Sequence, residues 1–326
     1  MKRFSLLLSL WMCFFLCSCT NNINSQPAAT AAKPLLIGFS QLGSESSWRL
    51  ANSESIQSAA EKQGVDLMFS NANQSQEKQI NAIRSFIAYR VDVIAFSPIV
   101  EEGWDNVLNE AREAGIPVIL VDRLIETADP DLYAAYLGAD FYQEGVSCAR
   151  YLQRKADDLQ TRRMNIVEIT GTLDSTPMRQ RYAGFHDVLA GDDRFVFLES
   201  ISGDFLVSKG QECMEHLLKT YPGQIDVLFS HNDGMTIGAL KAIQQAGLNP
   251  GKDILVLTID GEQAAVDLLR EGKINCVAEC TPMLGDTVMQ LAKKLVGGQS
   301  IPSVTHPQEV TFTDYDDLSQ IEPRGY

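Results

Sequence analysis

The first clear pattern along the chain is an apolar run at residues 35–39, which has the length of a buried strand. The run passes into a small-residue loop that carries Glu45, and then into Trp48, Arg49 and a helical pattern through Glu61. A strand that ends in a polar loop and starts a helix is where open α/β sheets bind ligands. Trp48 next to the Arg49 guanidinium is suited to binding a polyhydroxylated ring. Alternatively, Trp48 only packs against the start of the helix.

Apolar runs and helical patterns then alternate through the first half of the chain. Further strands are predicted at residues 65–70, 91–96, 117–121 and 133–137, and helices at 76–89 and 104–114. Strands that alternate with helices of this length indicate βαβ units and a parallel sheet.

The second half repeats this plan. Strands are predicted at residues 165–169, 195–200, 225–230 and 254–259, and helices at 178–189, 207–221 and 235–246. The two halves also resemble each other locally, because Ser97 follows one apolar strand as Asn232 and Asp233 follow another. The predicted fold class is therefore α/β, with two doubly wound, Rossmann-like lobes whose parallel sheets place polar strand ends on both sides of a cleft.

The C-terminal segment continues beyond two complete lobes. It contains a predicted helix at 263–271, a strand at 275–279, a helix at 284–295 and a short tail with several prolines. Such a segment must return to one or both lobes, so the domains are predicted to be discontinuous.

The N-terminus has the pattern of an export signal. Lys2 and Arg3 precede an apolar run at residues 4–16 that is too short to span a membrane comfortably. The sequence ending in Cys19 resembles a bacterial lipobox, which implies cleavage before Cys19 and lipid on its thiol, with a plain signal peptide as the alternative. We expect residues 1–18 to be the signal peptide and 19–33 to be a lipid-anchored linker, rich in Asn, Ser, Ala and Pro.

Composition and charge narrow the function classes. The 326 residues are 45% hydrophobic and 21% charged, which is typical of a globular protein long enough for two domains. A formal net charge of −15 argues against a nucleic-acid partner, because a phosphate backbone would be repelled. The spacing of the cysteines and of the four histidines fits no zinc or haem motif, so neither a metal site nor a cofactor is predicted.

Polar residues at the predicted strand ends are the candidates for function. They are Asp122, Arg123, Asp140, Asn232, Asp233, Asp260 and Glu279. Two carboxylates could serve a glycosidase, but helix capping accounts for such residues equally well. No nucleophile elbow or phosphate-binding loop is present in the sequence. Asp, Asn and Arg form charge-assisted hydrogen bonds with sugar hydroxyls, and Trp48 and Phe205 can cover the apolar face of a sugar.

These motifs resemble the type I periplasmic sugar-binding proteins of ABC importers, in the ribose/galactose class and especially its galactofuranose-binding branch. The resemblance runs from about Pro34 to Tyr326. It is carried by residues 38–41, 43–46, 48–49, 79–80, 83–86, 121–123, 203–205, 208–210, 231–233, 259–261, 279 and 281–282.

The resemblance implies two lobes joined by a three-stranded hinge, with one monosaccharide held between them. By matching position it assigns ligand contacts to Ser44, Glu45, Trp48, Arg49, Asp122, Arg123, Asp140, Arg179, Phe205, Asn232, Asp260 and Glu279. Arg179 lies where ribose-type members have a sugar-binding arginine. The expected lobes are residues 34–138 with 280–308, and residues 139–279 with 309–326.

The resemblance also implies the partners and the location of the protein. We expect a monomer with no catalytic residues, exported to the periplasm or the outer face of the membrane, where it delivers the sugar to an ABC permease in the cytoplasmic membrane. The alternatives are an exported glycoside-processing enzyme that uses Asp122 and Asp260, and a sensor that delivers its ligand to a signalling receptor. A repressor with this fold is disfavoured by the signal peptide and by the absence of a basic DNA-binding headpiece from the sequence.

Overall fold

The computed structural model of the protein describes residues 33–326. The predicted signal peptide and Cys19 lie outside the described residues. The strands are β1 (Leu36–Gln41), β2 (Asp66–Asn71), β3 (Val93–Phe96), β4 (Val118–Val121), β5 (Ala135–Leu137), β6 (Met164–Thr170), β7 (Phe195–Ser202), β8 (Val227–Ser230), β9 (Leu255–Asp260), β10 (Cys276–Glu279), β11 (Val304–Thr305) and β12 (Thr311–Thr313).

The α-helices alternate with the strands along most of the chain. They are α1 (Ser47–Gln63), α2 (Gln76–Tyr89), α3 (Asp105–Glu113), α4 (Phe141–Asp158), α5 (Thr176–Leu189), α6 (Val207–Thr220), α7 (Asp233–Gln245), α8 (Gln263–Arg270) and α9 (Gly285–Val296). Short 3-10 helices occur at Pro130–Leu132 and Leu318–Gln320. In residues 33–326, none of the helices combines the length and the apolar character that a membrane crossing requires.

Two six-stranded sheets organise these elements. The first has the order β2-β1-β3-β4-β5-β11, and all its strand pairs are parallel. The second has the corresponding order β7-β6-β8-β9-β10-β12, with β12 antiparallel to β10. The protein therefore has two α/β lobes with mostly parallel sheets, which confirms the predicted fold class.

Both faces of each sheet are covered by helices. In the first lobe, Phe39 and Ile37 pack with α1 and α9 on one face, whereas Phe96 and Ile94 pack with α2 and α3 on the other. Strands buried on both faces read as continuous apolar runs rather than alternating patterns, which is why runs such as residues 117–121 predicted strands correctly.

Helix α4 and strands β11 and β12 were not predicted from the sequence. Apolar or small residues do recur along α4 at helical spacing, but several of them are too small to give a strong signal. Gly145 in α4 faces Gly184 in α5, and a Cβ at Gly145 would lie 2.3 Å from the carbonyl oxygen of Arg181. The missing side chains therefore allow the two helices to cross closely.

The chain passes between the lobes three times. It leaves the first sheet after β5 and enters α4, whose apolar side packs in the core of the second sheet. It returns after β10 in α9, where the Gly285 amide donates to Ser55 Oγ of α1 (3.0 Å). The third crossing connects β11 of the first sheet to β12 of the second.

Candidate functional site: a cavity between the lobes

A cavity lies where the carboxyl ends of the two sheets face each other. It encloses about 330 Å³ of space between atoms, its opening to solvent included. Its lining residues are Glu45, Ser46, Trp48, Arg49, Asp122, Arg123, Pro177, Arg181, Phe205, Asn232, Asp260 and Cys280. In both sheets the chain order reverses between the first and third strands of the lobe, and this is where ligands bind in doubly wound folds.

Arg49 organises the cavity surface in the first lobe. Ser46 caps α1 by accepting from the Arg49 amide (3.2 Å), which places the Arg49 side chain in the first turn, over the sheet edge. Its guanidinium donates to Asp122 Oδ2 (2.7 Å) and to Glu45 Oε1 (3.1 Å). Burial alone would lower the pKa of Arg49, but these two carboxylates raise it above its ordinary value, so Arg49 stays charged.

Arg123 is less completely paired than Arg49. Its Nη1 donates to the carbonyl of Ile99 (3.0 Å), and Asp122 Oδ2 is 3.9 Å from its Nε. That Nε is buried without a hydrogen-bond partner among the described residues. Burial, together with the nearby Arg49, lowers the pKa of Arg123 to about 10. Arg123, which lines the cavity, therefore has one donor that no described residue uses.

Two aromatic side chains complete the apolar part of the cavity. Trp48 is buried, its Nε1 donates to the carbonyl of Cys280 (2.6 Å), and the Arg49 guanidinium lies 4.7 Å from its ring centroid. Phe205 comes from the second lobe, and its ring lies 5.5 Å from the guanidinium carbon of Arg123. The aromatic groups of both lobes therefore lie next to cationic side chains of the first.

The second lobe contributes Asn232 and Asp260. Asn232 caps α7 by accepting from the Met235 amide (2.9 Å), and its Nδ2 donates to no described residue. Asp260 ends β9, and burial raises the pKa of its carboxyl well above the usual range although Arg181 opposes the shift. Asp233, a predicted candidate, lies outside the lining; its Oδ2 instead accepts from the Gly261 amide (2.8 Å) and fixes the turn after β9.

Three lining residues have backbones in the left-handed region, although none is glycine. Their φ angles are +68° for Asp122, +124° for Asp260 and +62° for Phe205. Such conformations cost roughly 1–3 kcal/mol each and persist where the surrounding structure holds them. In the structure all three residues project their side chains from sheet ends toward the cavity.

Arg181 lines the cavity, whereas Arg179 does not. Arg181 is 3% exposed; it donates to Glu144 Oε2 (2.6 Å) and to the carbonyl of His231 (2.6 Å), and its Nη2 is 3.6 Å from Asp260. Arg179 is 53% exposed and forms an ion pair with Glu101. The two arginines lie on opposite sides of α5, because a separation of two residues turns a helix by about 200°.

Arg181 was missed at the sequence level, although a signal for it was present. It lies four residues after Pro177 and four before Phe185, on the buried stripe of α5. An arginine in the apolar stripe of a helix is unusual unless it is paired. Ser46, Pro177 and Cys280 were also missed; they are small or apolar residues with no distinctive pattern in the sequence.

The remaining predicted site residues lie outside the cavity. Ser44 accepts from Asn71 Nδ2 (2.7 Å) near the surface. Asp140 caps α4 by accepting from the Gln143 amide (3.1 Å), as the capping alternative expects. Glu279 forms an ion pair with Arg324 of the C-terminal tail.

A buried carboxylate supports the second-lobe side from behind. Glu168 is fully buried in β6 and accepts from His231 (2.9 Å) and His186 (3.0 Å). Burial alone would raise the pKa of Glu168, but these hydrogen bonds lower it to about 2. His231 precedes Asn232, so the cluster fixes the backbone that supplies both Asn232 and the carbonyl acceptor of Arg181.

A second acidic cluster lies behind Arg181 at the lobe crossings. One carboxylate oxygen each of Glu144 and Glu309 and the sulfur of Cys280, which are atoms that could coordinate a metal, lie within 4.8 Å of one another. The Arg181 guanidinium contacts Glu144, which disfavours a metal cation at this position. Burial and the charge of Glu144 raise the pKa of Glu309 to about 8, so Glu309 retains a proton near neutral pH.

Comparisons with known proteins agree with this architecture. Residues 37–300 match the family described as periplasmic binding protein domain. The chain belongs to the periplasmic binding protein family. It is 40% identical over 285 residues to the galactofuranose-binding protein YtfQ of Escherichia coli (strain K12), with 86% of this chain and 87% of that protein covered.

Two solved structures are also similar to this chain. A Mycobacterium smegmatis protein in complex with β-D-fucofuranose is 44% identical, with a TM-score of 0.83, over 86% of this chain and 92% of that one. The binding component of the arabinose ABC transporter of Shewanella sp. ANA-3, bound to α- and β-L-arabinofuranose, is 39% identical, with a TM-score of 0.82 and the same coverage.

The charges around this binding-protein cleft are balanced. The lining contains three arginines (Arg49, Arg123 and Arg181) and three carboxylic acids (Glu45, Asp122 and Asp260). The lining therefore offers several hydrogen-bond donors and acceptors with no large excess of one charge, which favours an uncharged ligand that can both donate and accept hydrogen bonds.

Proposed function

We propose that this protein is the sugar-binding component of an ABC importer and that it binds a monosaccharide in a furanose form. The observation that carries the proposal is the cavity itself, which is small, charge-balanced and flanked by Trp48 and Phe205. The names of the similar proteins support the furanose class, because they concern galactofuranose, β-D-fucofuranose and L-arabinofuranose.

In this proposal each lobe supplies part of the hydrogen bonding to the sugar. Asp122 accepts from ring hydroxyls while Arg49 holds it in place, and Arg123 donates from its unused Nε. Asn232, Asp260 and Arg181 bind from the second lobe. Because the ligand contacts both lobes, it favours the closed form by hinge motion.

We also propose the location and the partners. The lipobox-like sequence supports export and attachment through lipid on Cys19, and the family supports delivery of the sugar to a membrane permease. We propose that the protein acts as a monomer. The three crossings support lobes of residues 34–138 with 280–308, and 139–279 with 309–326. The proposal includes no chemistry on the sugar.

Titration of the purified protein with galactofuranose, L-arabinose, D-galactose and D-ribose tests the proposal by calorimetry and thermal shift. We expect saturable binding of at least one of them. Asp122→Ala is expected to weaken it by about 30- to 100-fold, because Arg49 and the ligand hydroxyls lose a buried partner.

Asp140→Ala is the matched control, because it also removes an aspartate carboxyl group, but one outside the cavity. The sugar affinity of this variant should be unchanged. An absence of binding to all four sugars would sink the sugar proposal. Hydrolysis of an aryl glycoside that is lost in both Asp122→Ala and Asp260→Ala would favour the enzyme alternative.

A further inference from the structure

The two lobes also contact each other directly at three points beside the cavity. We name these the rim contacts: Glu262 with the start of α1, Thr176 with Leu124, and Arg179 with Glu101. In each of them, one partner follows a strand of the first sheet and the other follows a strand of the second. The contacts can therefore form only when the lobes are closed.

The strongest rim contact places a carboxylate on the N-terminus of α1. Glu262 is 4% exposed, and it accepts from Ser47 Oγ (2.6 Å) and from the Trp48 amide (3.1 Å). The first turn of α1 contains no acidic residue of its own. Unpaired amides and the helix dipole at that end both favour an anion, and in the closed form Glu262 of the other lobe supplies it.

The second lobe holds Glu262 in position before the contact forms. Asp233 Oδ2 accepts from the Glu262 amide (2.7 Å), and Asp233 itself is fully buried at the start of α7. The carboxylate is therefore presented by a fixed turn, which lowers the entropy lost when the lobes close.

The other two rim contacts extend this interaction along the cleft. Thr176 Oγ1 accepts from the Leu124 amide (3.0 Å) and lies 3.3 Å from the Leu124 carbonyl. Arg179 pairs with Glu101, and its Nη1 lies 3.9 Å from Glu126. Arg179, which family resemblance assigned to the ligand, thus contacts the opposite lobe instead.

We propose that the rim contacts are a sugar-independent latch, in which Glu262 is the main positioning residue for closure. This inference rests on the proposed function. When the closed form is a minor species of the free protein, the observed dissociation constant rises in proportion as its population falls. Trp48 is the one latch residue that also lines the cavity, and it joins the latch only through its backbone amide. Because the side chains that form the latch lie outside the lining, weakening the latch must raise the dissociation constants of different sugars by one common factor.

Calorimetry with L-arabinose and D-galactose as probes, on the full mature chain, tests this inference. Glu262→Gln is expected to raise both dissociation constants about five- to tenfold, with their ratio kept within a factor of two. Ser47→Ala removes the opposite side of the same contact and should act in the same direction. Glu271→Gln, the same substitution at the exposed end of α8, is the control and should change neither constant.

Unequal factors for the two sugars would overturn the latch, because Glu262 would then act through the ligand. Unchanged constants in both Glu262→Gln and Ser47→Ala would also overturn it.

A cross-linking experiment separates this inference from the proposed function. Leu124→Cys with Thr176→Cys, which lie at another rim contact and leave Glu262 in place, should form an intramolecular disulfide without any sugar, at a rate set by the closed population. Copper–phenanthroline with dissolved oxygen is the oxidant that takes the two electrons and two protons of the thiols. Adding Glu262→Gln should slow the reaction several-fold, since the main rim contact is weakened. Failure to cross-link, or an unchanged rate with Glu262→Gln, would overturn the latch. If the unmodified chain binds none of the four sugars, the proposed furanose ligand is contradicted, and this cross-linking result alone decides the latch.

Discussion

Arg181→Met is expected to destabilise the folded protein strongly, because Arg181 is the cation that pairs buried groups on two sides. It donates to Glu144 and to the carbonyl of His231, and Asp260 lies 3.6 Å away. Methionine keeps an apolar side chain of similar length near Phe141, whose ring now lies 5.2 Å from the guanidinium carbon. The substitution therefore removes the charge with little change in packing.

The expected cost follows from what is left unpaired. Removing one partner of a buried ion pair typically costs about 3–5 kcal/mol, because the remaining charge stays buried without compensation. For a chain of this size, a loss of that order lowers the melting temperature by about 5–8 °C.

The cost should also depend on pH. Burial already raises the pKa of Glu144 and Asp260 with Arg181 present. Without Arg181 both pKa values rise further. A carboxyl group whose pKa is higher in the folded than in the unfolded protein destabilises the fold increasingly as the pH rises. The penalty should therefore be larger at pH 8 than at pH 5.

Urea unfolding of the ligand-free protein, followed by circular dichroism, measures this cost. Arg179→Met is the matched control, since the same substitution in the same helix removes an exposed ion pair, and its midpoint should not shift measurably. Equal midpoints for Arg181→Met and Arg179→Met, or a penalty that shrinks with rising pH, would refute the assignment of Arg181 to the buried network.

Three other predictions concern the lobe crossings, the aromatic side of the cavity and helix packing. Because the pKa of Glu309 is raised to about 8, its contribution to the unfolding free energy should fall as the pH rises from about 4.5 to 8. In urea titrations, Glu309→Gln should reduce this fall between pH 5.5 and 8.5 by ~1–2 kcal/mol. An unchanged pH dependence of the unfolding free energy would contradict the prediction. Trp48→Phe should abolish most of the sugar-induced change in fluorescence, whereas Trp104→Phe, in the first-lobe core, should retain it; the reverse pattern would place the reporter elsewhere. Gly145→Ala should cost about 1–3 kcal/mol in thermal unfolding, because its Cβ would lie 2.3 Å from the Arg181 carbonyl, and full stability would show that the helices separate easily.

Much of the fold was accessible from the sequence because its strands are buried on both faces. Continuous apolar runs as short as residues 117–121, bounded by polar and turn-forming residues, are typical of buried strands, and α1, α2 and α7 begin at a side-chain cap. The short strands β11 and β12 could not be predicted, because a strand of two or three residues is too short to show a hydrophobic pattern. Their pairing also depends on where the chain crosses between the lobes.

The candidate site divides in the same way. Asp122, Asn232 and Asp260 were found because polar residues directly after apolar strands must lie at one sheet edge, whichever lobe they belong to. Asp140 and Glu279 have the same pattern, yet their side chains cap a helix and bind the C-terminal tail. Sequence position locates the sheet edge, but not the direction in which each side chain points.

The sequence by itself therefore determined the two-lobe plan, the parallel sheets and the strand ends that face the cleft, since these depend on local periodicity. Only the tertiary structure decided between Arg179 and Arg181. The two residues lie on opposite sides of α5, and the close crossing at Gly145 and Gly184 determines which side faces Glu144 and the cavity. That choice depends on contacts between helices distant in sequence, which no local pattern records.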